Sequence, residues 1–416
     1  MILTLTAGYP FGGEPFLISE DQYAPKDMTY LALHPLENNN QSSHEGVRIA
    51  EKRNVPIMIW YALCGLFDPL IWQEIGRMRK IGKFSLRNLG FMMGYYAYAV
   101  RCYHEVYRWM QKNNALQADT VLYSYWMVTQ AMICALLKRK VPGMRMVTRC
   151  HGYDIYEYRA PGDYLPFRDF IFRQADAICP ISDDGVRYLK ETYPTLKAEK
   201  MHLHRLGTMD RGLTPPAQNE EPFRIVSCSA LISLKRVHLL IQALAKLQHP
   251  VEWVHFGSGP LEEALQKQAS EELGETPVQF HFFGQVPNQA ILSYYHEHHV
   301  DLFVNVSETE GVPLSIMEAL SFGIPVIATQ VGGTAEIIDV GENGFLLPAS
   351  FAPQELTKKI EEMVAMPSGR YEEMSRQARL HWEQKCSAKK NFTAFYDMIR
   401  ALPSIRSGGK NETVRK

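Results

Sequence analysis

The 416-residue sequence predicts an α/β protein made of two Rossmann-like domains, each with a parallel sheet. Three observations carry that expectation. In the second half, short apolar or β-branched runs at 224–229, 251–256, 278–283, 301–306, 325–328 and 344–347 alternate with helical patterns. Alternation at this rhythm marks a parallel sheet covered by helices on both faces. The first half holds a sparser set of the same kind, at 2–6, 120–124, 145–149 and 177–181, with longer helices between. The stretch 209–222 separates the halves; it contains Pro215-Pro216 and Glu220-Glu221, and proline pairs with clustered charge suit an exposed linker.

The expected organisation follows. Residues 1–210 form the first domain, 211–222 the linker and 223–375 the second domain. Residues 376–402 are helical, with apolar positions at Leu380, Phe392, Phe395 and Ile399, and the polar stretch 403–416 is too poor in apolar residues to pack. In the second domain, 237–247 reads as a helix because Leu240, Ala243, Leu244 and Leu247 recur at helical spacing.

Composition narrows the classes of function. A hydrophobic content of 46% and a net charge of -1 are those of an ordinary globular protein. Wholesale nucleic-acid binding needs a basic surplus that is missing here, so no nucleic acid is expected as a partner. The seven cysteines are scattered with no C-x-x-C pair, which argues for buried free thiols in a reducing compartment rather than a disulfide framework or a structural zinc site. The first residues lack a basic leader and read as a buried strand, and the longest apolar run, 57–67, falls short of a membrane span. A cytoplasmic location is expected. One stretch is unusual. From Ile75 to His104 there is no acidic residue, and Arg77, Arg79, Lys80, Lys83 and Arg87 follow an apolar segment containing Trp60, Phe67 and Trp72. A solvated helix face and a seat on an anionic membrane surface are both open readings of this stretch.

In a doubly wound sheet, ligands bind outside the carboxyl ends of the strands. Three turns of small residues follow strands there: Gly257-Ser258-Gly259, Ser307 to Pro313, and Gly332-Gly333-Thr334. Any one alone is ordinary βα connection chemistry. Together on one edge they suit an anion, because glycines admit close backbone approach and helix N-termini favour negative charge. Glu310 and Glu318 then stand out. Pro313 suits the first turn of a helix, which puts Glu310 in the loop before it and Glu318 inside it. Eight helical residues span roughly 12 Å, about the reach from the ribose to the sugar of a nucleoside diphosphate sugar. A carboxylate suits a vicinal diol at either end.

The run from Asp301 to Leu320, with Gly323-Ile324-Pro325, Gly332-Gly333-Thr334 and Asn343-Gly344-Phe345, resembles the family 4 (group 1) retaining glycosyltransferases. The resemblance implies the GT-B fold, with the two domains facing across a cleft. It implies a nucleotide-diphosphate sugar as co-substrate, a saccharide or lipid-linked saccharide acceptor, and no metal or other cofactor. It gives Glu310 to the transferring sugar and Glu318 to the ribose. The N–H groups of Gly311, Val312 and Leu314 go to the diphosphate, Lys235 to its charge, and Val286 to the base, with Arg236 or Arg205 open as a substitute for the arginine the family usually carries at position 230. In the first domain Gly12, Gly13 and His151 match family elements touching donor and acceptor. Bacterial surface polysaccharide synthesis is the implied process, and a lipid-linked acceptor would favour the reading of the basic, apolar stretch as a peripheral seat on the inner face of the membrane. One position departs from the pattern: Ala230 stands where the family usually has arginine. An inactive nucleotide-binding subunit, or a nucleotide-sugar epimerase of the same fold, are the alternatives.

Overall fold

The computed structural model describes residues 1–11, 14, 16–34, 42–49, 54–217 and 222–403. Gly12 and Gly13, the linker residues 218–221 and the tail from 404 onward lie outside the described residues. The chain divides into two units, Met1–His204 with Phe392–Lys416, and Arg205–Asn391.

The first unit holds six strands: β1 (Ile2–Thr6), β2 (Met28–Ala32), β3 (Glu45–Arg48), β4 (Val121–Ser124), β5 (Arg145–Cys150) and β6 (Ala177–Pro180). All neighbours pair in parallel, in the order β3-β2-β1-β4-β5-β6. β1, β2 and β4 are buried along their whole length, as strands covered on both faces must be. The outermost strand β3, with sequence EGVR, is half-exposed and carries no apolar run. Helices Val55–Gly65, Pro69–Lys80 and Leu86–Lys112 fill the long connection from β3 to β4. The side chains of Asn54, Asp68 and Ser85 cap them, accepting from the N–H groups of Ile57, Leu70 and Asn88.

The C-terminal helix Ala388–Ala401 contributes Phe392, Phe395, Tyr396 and Ile399 to this unit as buried side chains. Its anchor is a buried ion pair. Arg149 Nη1 lies 3.2 Å from Glu20 Oε2, and its guanidinium sits 4.0 Å over the Phe395 ring. Glu20 Oε1 accepts hydrogen bonds from the hydroxyls of Tyr123 (2.9 Å) and Tyr396 (3.1 Å). The two hydroxyls satisfy Glu20 Oε1, whereas Glu20 Oε2 and the guanidinium nitrogens of Arg149 have no hydrogen-bond partner among the described residues, so the pair holds by charge and by the Phe395 ring.

The second unit repeats the plan with β7 (Phe223–Cys228), β8 (Val251–Phe256), β9 (Val278–Phe282), β10 (Leu302–Asn305), β11 (Val326–Thr329) and β12 (Gly344–Leu347). The order is β12-β11-β10-β7-β8-β9, again parallel throughout. Counted from its own first strand, this is the same doubly wound order as in the first sheet. In each sheet the connections reverse direction between two central strands, β1 and β4 in one, β7 and β10 in the other. Such switch points leave a crevice at the strand carboxyl ends, where ligands of α/β proteins bind. The expected helix at 237–247 is Val237–Leu244, and Pro313 proves to be the residue before helix Leu314–Ser321, in an extended conformation, instead of its first turn.

Candidate active site

The switch point of the second sheet brings together residues distant in sequence. The loop leaving β7 ends in a short turn, Ser233–Lys235, and the loop leaving β10 carries Glu310. Lys235 Nζ lies 2.5 Å from Glu310 Oε1, with both side chains largely buried. Asn305, the last residue of β10, adds its Nδ2 at 3.4 Å from the same oxygen and holds the N–H of Ser307 through its Oδ1 at 3.1 Å. The cation is therefore held on Glu310, in the loop that leads into helix Leu314–Ser321. Among the described residues, none accepts a hydrogen bond from the N–H groups of Gly311, Val312 or Leu314. Three N–H groups at a helix start, beside an ammonium, form a place for an anion.

Why the loops hold this shape is legible in the backbone. Gly332 has φ +52° and its α-carbon sits so close to the β10 loop that a Cβ would lie 2.0 Å from the Glu310 carbonyl oxygen. The next residue, Gly333, donates its N–H to Gly311 O at 2.7 Å. Gly257, at φ +133°, presses on the Ser229 carbonyl in the same way. These glycines, expected as points of approach for an anion, have a nearer cause: they let one loop seat directly on another.

Arg236 is spent on the same scaffold. Its guanidinium donates to the carbonyls of Val306 (2.8 Å), Ser307 (3.0 Å) and Ala349 (2.8 Å), pinning the β10 loop from behind. Arg205 pairs with Glu336, the last residue of the Gly332–Glu336 turn, at 3.1 Å. Ala230 is exposed on the β7 loop. Deeper along the helix, Glu318 accepts from Asn288 Nδ2 at 2.9 Å. Burial pushes its carboxyl up to about 7, against the Asn288 hydrogen bond and the Arg211 charge, which favour the ionised form. Val286 is half-buried in the loop after β9, whose Gly284 carbonyl accepts from Gly257 N at 2.9 Å.

The first unit has its own constellation at the corresponding sheet edge. His151 follows β5 and is 7% exposed. Its ring lies between those of Trp126 (4.3 Å between centroids) and Tyr125 (4.7 Å). Neither ring nitrogen has a hydrogen-bond partner; Nδ1 lies 3.7 Å from Asp154 Oδ2. Asp154 accepts from the N–H groups of His151 (2.7 Å) and Met127 (2.9 Å). Burial acts to raise the Asp154 carboxyl, but the His151 side chain and these two N–H groups outweigh it and hold it below its ordinary value. Glu14, on the loop leaving β1, accepts from Gly8 N at 2.7 Å, Tyr9 N at 3.0 Å and Trp126 Nε1 at 2.5 Å.

Sequence reasoning missed Glu14, Trp126, Asn305 and Asn288. Glu14 directly follows Gly12-Gly13 and was open to notice; Trp126 meets it only through the fold. Of the expected site residues, the second unit gathers Lys235, Glu310, Gly311, Val312 and Leu314 at one switch point, with Glu318 further along the same helix. His151 belongs to the first unit. Among the described residues no group of three or more His, Cys, Asp or Glu is placed to hold a metal ion.

Comparison with known proteins adds to this geometry. Residues 214–381 match the model of the glycosyl transferases group 1. The chain is 27% identical over 249 residues to the putative colanic acid biosynthesis glycosyltransferase WcaL of Salmonella typhimurium, covering 56% of this chain and 59% of that one. It is 27% identical over 229 residues to the amylovoran biosynthesis glycosyltransferase AmsK of Erwinia amylovora, covering 52% and 55%. The matched region thus spans little more than half the length of these relatives. Among solved structures, Anabaena Alr3699/HepE in complex with UDP-glucose superposes with a TM-score of 0.64 at 17% identity, over 96% of this chain and 99% of that one. With two six-stranded parallel sheets of the same order, that likeness gives the fold as GT-B.

Proposed function

We propose that this chain, whose residues 214–381 belong to the group 1 glycosyl transferases, is a retaining glycosyltransferase of bacterial surface polysaccharide synthesis. It moves a sugar from a nucleotide-diphosphate donor to a saccharide or lipid-linked saccharide acceptor, in the cytoplasm. The observation that carries this reading is the Lys235–Glu310 pair, 2.5 Å apart, set against the unpartnered N–H groups of Gly311, Val312 and Leu314. The relatives named for colanic acid and amylovoran synthesis support the process, and HepE, solved with UDP-glucose, supports the donor class.

In this reading the N–H groups at the helix start bind the diphosphate, and Glu318 takes the ribose hydroxyls. Val286 borders the base, and Glu310 orients the transferring sugar. Arg236 keeps the loop rigid. His151 is assigned to the sugar on the strength of the family resemblance, as are Gly12 and Gly13. As the bond from the anomeric carbon to the phosphate oxygen breaks, charge gathers on the leaving diphosphate, and Lys235 stabilises it there. The acceptor hydroxyl forms its bond to the anomeric carbon on the same face and passes its proton to the departing phosphate oxygen. The work of a divalent cation falls to Lys235 and the helix start, so turnover in EDTA is expected.

The test is a thermal-shift panel of UDP-, GDP-, ADP- and TDP-sugars in EDTA, followed by the anomeric configuration of the product. A ligand that binds only the folded state raises its melting temperature. A shift with one nucleotide class, lost in Glu318→Ala, supports the reading; an inverted anomer refutes retention. A second reading has its own observation. Ala230 removes the usual arginine and Arg236 is committed to three carbonyls, which favours a nucleotide-binding subunit without turnover. Donor binding with no transfer to any acceptor would select it.

A further inference from the structure

Glu318 has a partner to which the reaction gives no task. Asn288 opens helix Asn288–Glu297, where Pro287 precedes it and no side chain caps the helix. The residue is exposed, yet its Nδ2 reaches Glu318 Oε1 at 2.9 Å, across 30 residues of sequence. The two come from successive connections of the second sheet, one entering β10 and the other leaving it. Among the described residues this amide is the only hydrogen-bond donor to the Glu318 carboxylate.

The surroundings make that carboxylate hard to keep charged. Its helix neighbours Met317, Ala319 and Leu320 are buried. From the other elements it meets the Cys228 thiol at the end of β7 and the Tyr295 hydroxyl, about two turns further along the Asn288 helix. Burial holds both of these groups neutral, the thiol pushed up to about 12 and the hydroxyl well above its ordinary value. Arg211 is the one cation that acts on Glu318 among the described residues. Burial therefore opposes the charge, while the Asn288 amide and Arg211 favour it.

A vicinal diol offers two hydroxyl protons. An ionised carboxylate accepts both, and a protonated one has given up part of that capacity. We infer that Asn288 is a positioning residue for the nucleotide sugar: its amide holds the Glu318 carboxylate ionised and turned to the ribose, so that a single proton on Glu318 gates binding. This rests on the reading of Glu318 as the partner of the ribose. Asn288 occupies one lone pair of Oε1, which leaves the other lone pair there and those of Oε2 for the two hydroxyls. The sign of the pH dependence follows. The carboxyl stands at about 7, so above that pH it is ionised and affinity is full. As pH falls through about 7, each nucleotide sugar bound must displace a proton, and affinity falls with it. Removing the amide takes away a contact that favours the charge, and moves this fall to higher pH.

The experiment is calorimetric titration of the full chain with UDP-glucose, GDP-glucose and ADP-glucose, from about pH 5.5 to about pH 8.5. These ligands carry no phosphate that titrates in this range. For the one that binds, affinity is expected to be flat above about pH 7 and to fall about tenfold for each pH unit below it. Glu318→Gln should bind more weakly and with no pH dependence. Asn288→Leu should bind at least about tenfold more weakly at neutral pH, with the gap narrowing as pH rises. Asn288→Asp has the outline of the parent side chain but no N–H and a second negative charge, so its fall should begin at a still higher pH. A lost fold would lower affinity equally at every pH, and the profile separates it from a lost amide. A parent whose affinity ignores pH, while Glu318→Gln loses binding, would overturn the inference and leave the nucleotide-sugar reading standing. So would an Asn288→Asp chain with the parent profile, or a Glu318→Gln chain that keeps the pH dependence. If no nucleotide sugar binds the parent at any pH, that reading falls and the inference with it.

Discussion

The two sheets share one strand order, and each places a carboxylate on a loop at its switch point, yet the two carboxylates live in opposite surroundings. Glu310 faces an ammonium, with bare N–H groups beside it. Glu14 is enclosed by two backbone N–H groups and an indole N–H, among the rings of Phe16, Tyr125 and Trp126. The second switch point is thus arranged to receive negative charge. The first is an aromatic wall with a histidine set into it and its carboxylate already satisfied by three N–H groups. Topology decides where a ligand can sit; the side chains on two loops decide its chemistry.

Lys235→Met is expected to break this contrast most severely. Turnover should fall by roughly 10²–10³, the usual consequence of losing one stabilising donor at a developing charge. The measurement is kcat on saturating donor; unchanged turnover would remove the cation from the account. Glu14→Ala comes next, with an expected loss of about 2–4 kcal/mol in urea denaturation, because it strands the N–H groups of Gly8 and Tyr9 and the Trp126 indole. If stability is kept and only acceptor KM rises, Glu14 is reaching substrate instead of shaping its loop.

Glu318→Gln gives the smallest effect and the sharpest pH signature. The folded-state carboxyl is raised to about 7 from the ordinary 4.5. The folded chain therefore holds a proton that the unfolded chain releases, so the stability associated with that proton is full below about pH 4.5 and lost as pH rises through about 7. Relative to the parent, Glu318→Gln should be neutral near pH 4.5 and more stable by about 1–3 kcal/mol at pH 8. A pH-independent difference would show that Glu318 ionises normally.

The parallel sheet of the second unit was open to reading because each of its strands is a distinct apolar run followed by turn residues. In the first unit β2 and β3 escaped notice. β2, MTYLA, is buried entirely yet carries only two aliphatic residues beyond its methionine, and β3, EGVR, is an edge with no alternation. Lys235 and Glu310 were each assigned to the donor through resemblance alone, and their contact was not foreseen. Seventy-five residues separate them, and only the strand order makes them neighbours. The Glu14–Trp126 bond, across 112 residues, had no local signal at all. Periodicity reports which face of an element is buried, and it is silent about which loops a sheet will bring to one edge.

The C-terminal helix has a consequence for the birth of the chain. Phe392, Phe395 and Tyr396 belong to the first unit, but all of Arg205–Asn391 must be translated before they exist. At ordinary elongation rates that interval is roughly 10–40 s. During it, the newly made first unit stands on the ribosome with the Arg149–Glu20 pair uncovered and the apolar bed of Phe395 open to water. The helix that closes the first core is thus made only after the whole of the second unit, so a chain cut short of it leaves that apolar bed exposed.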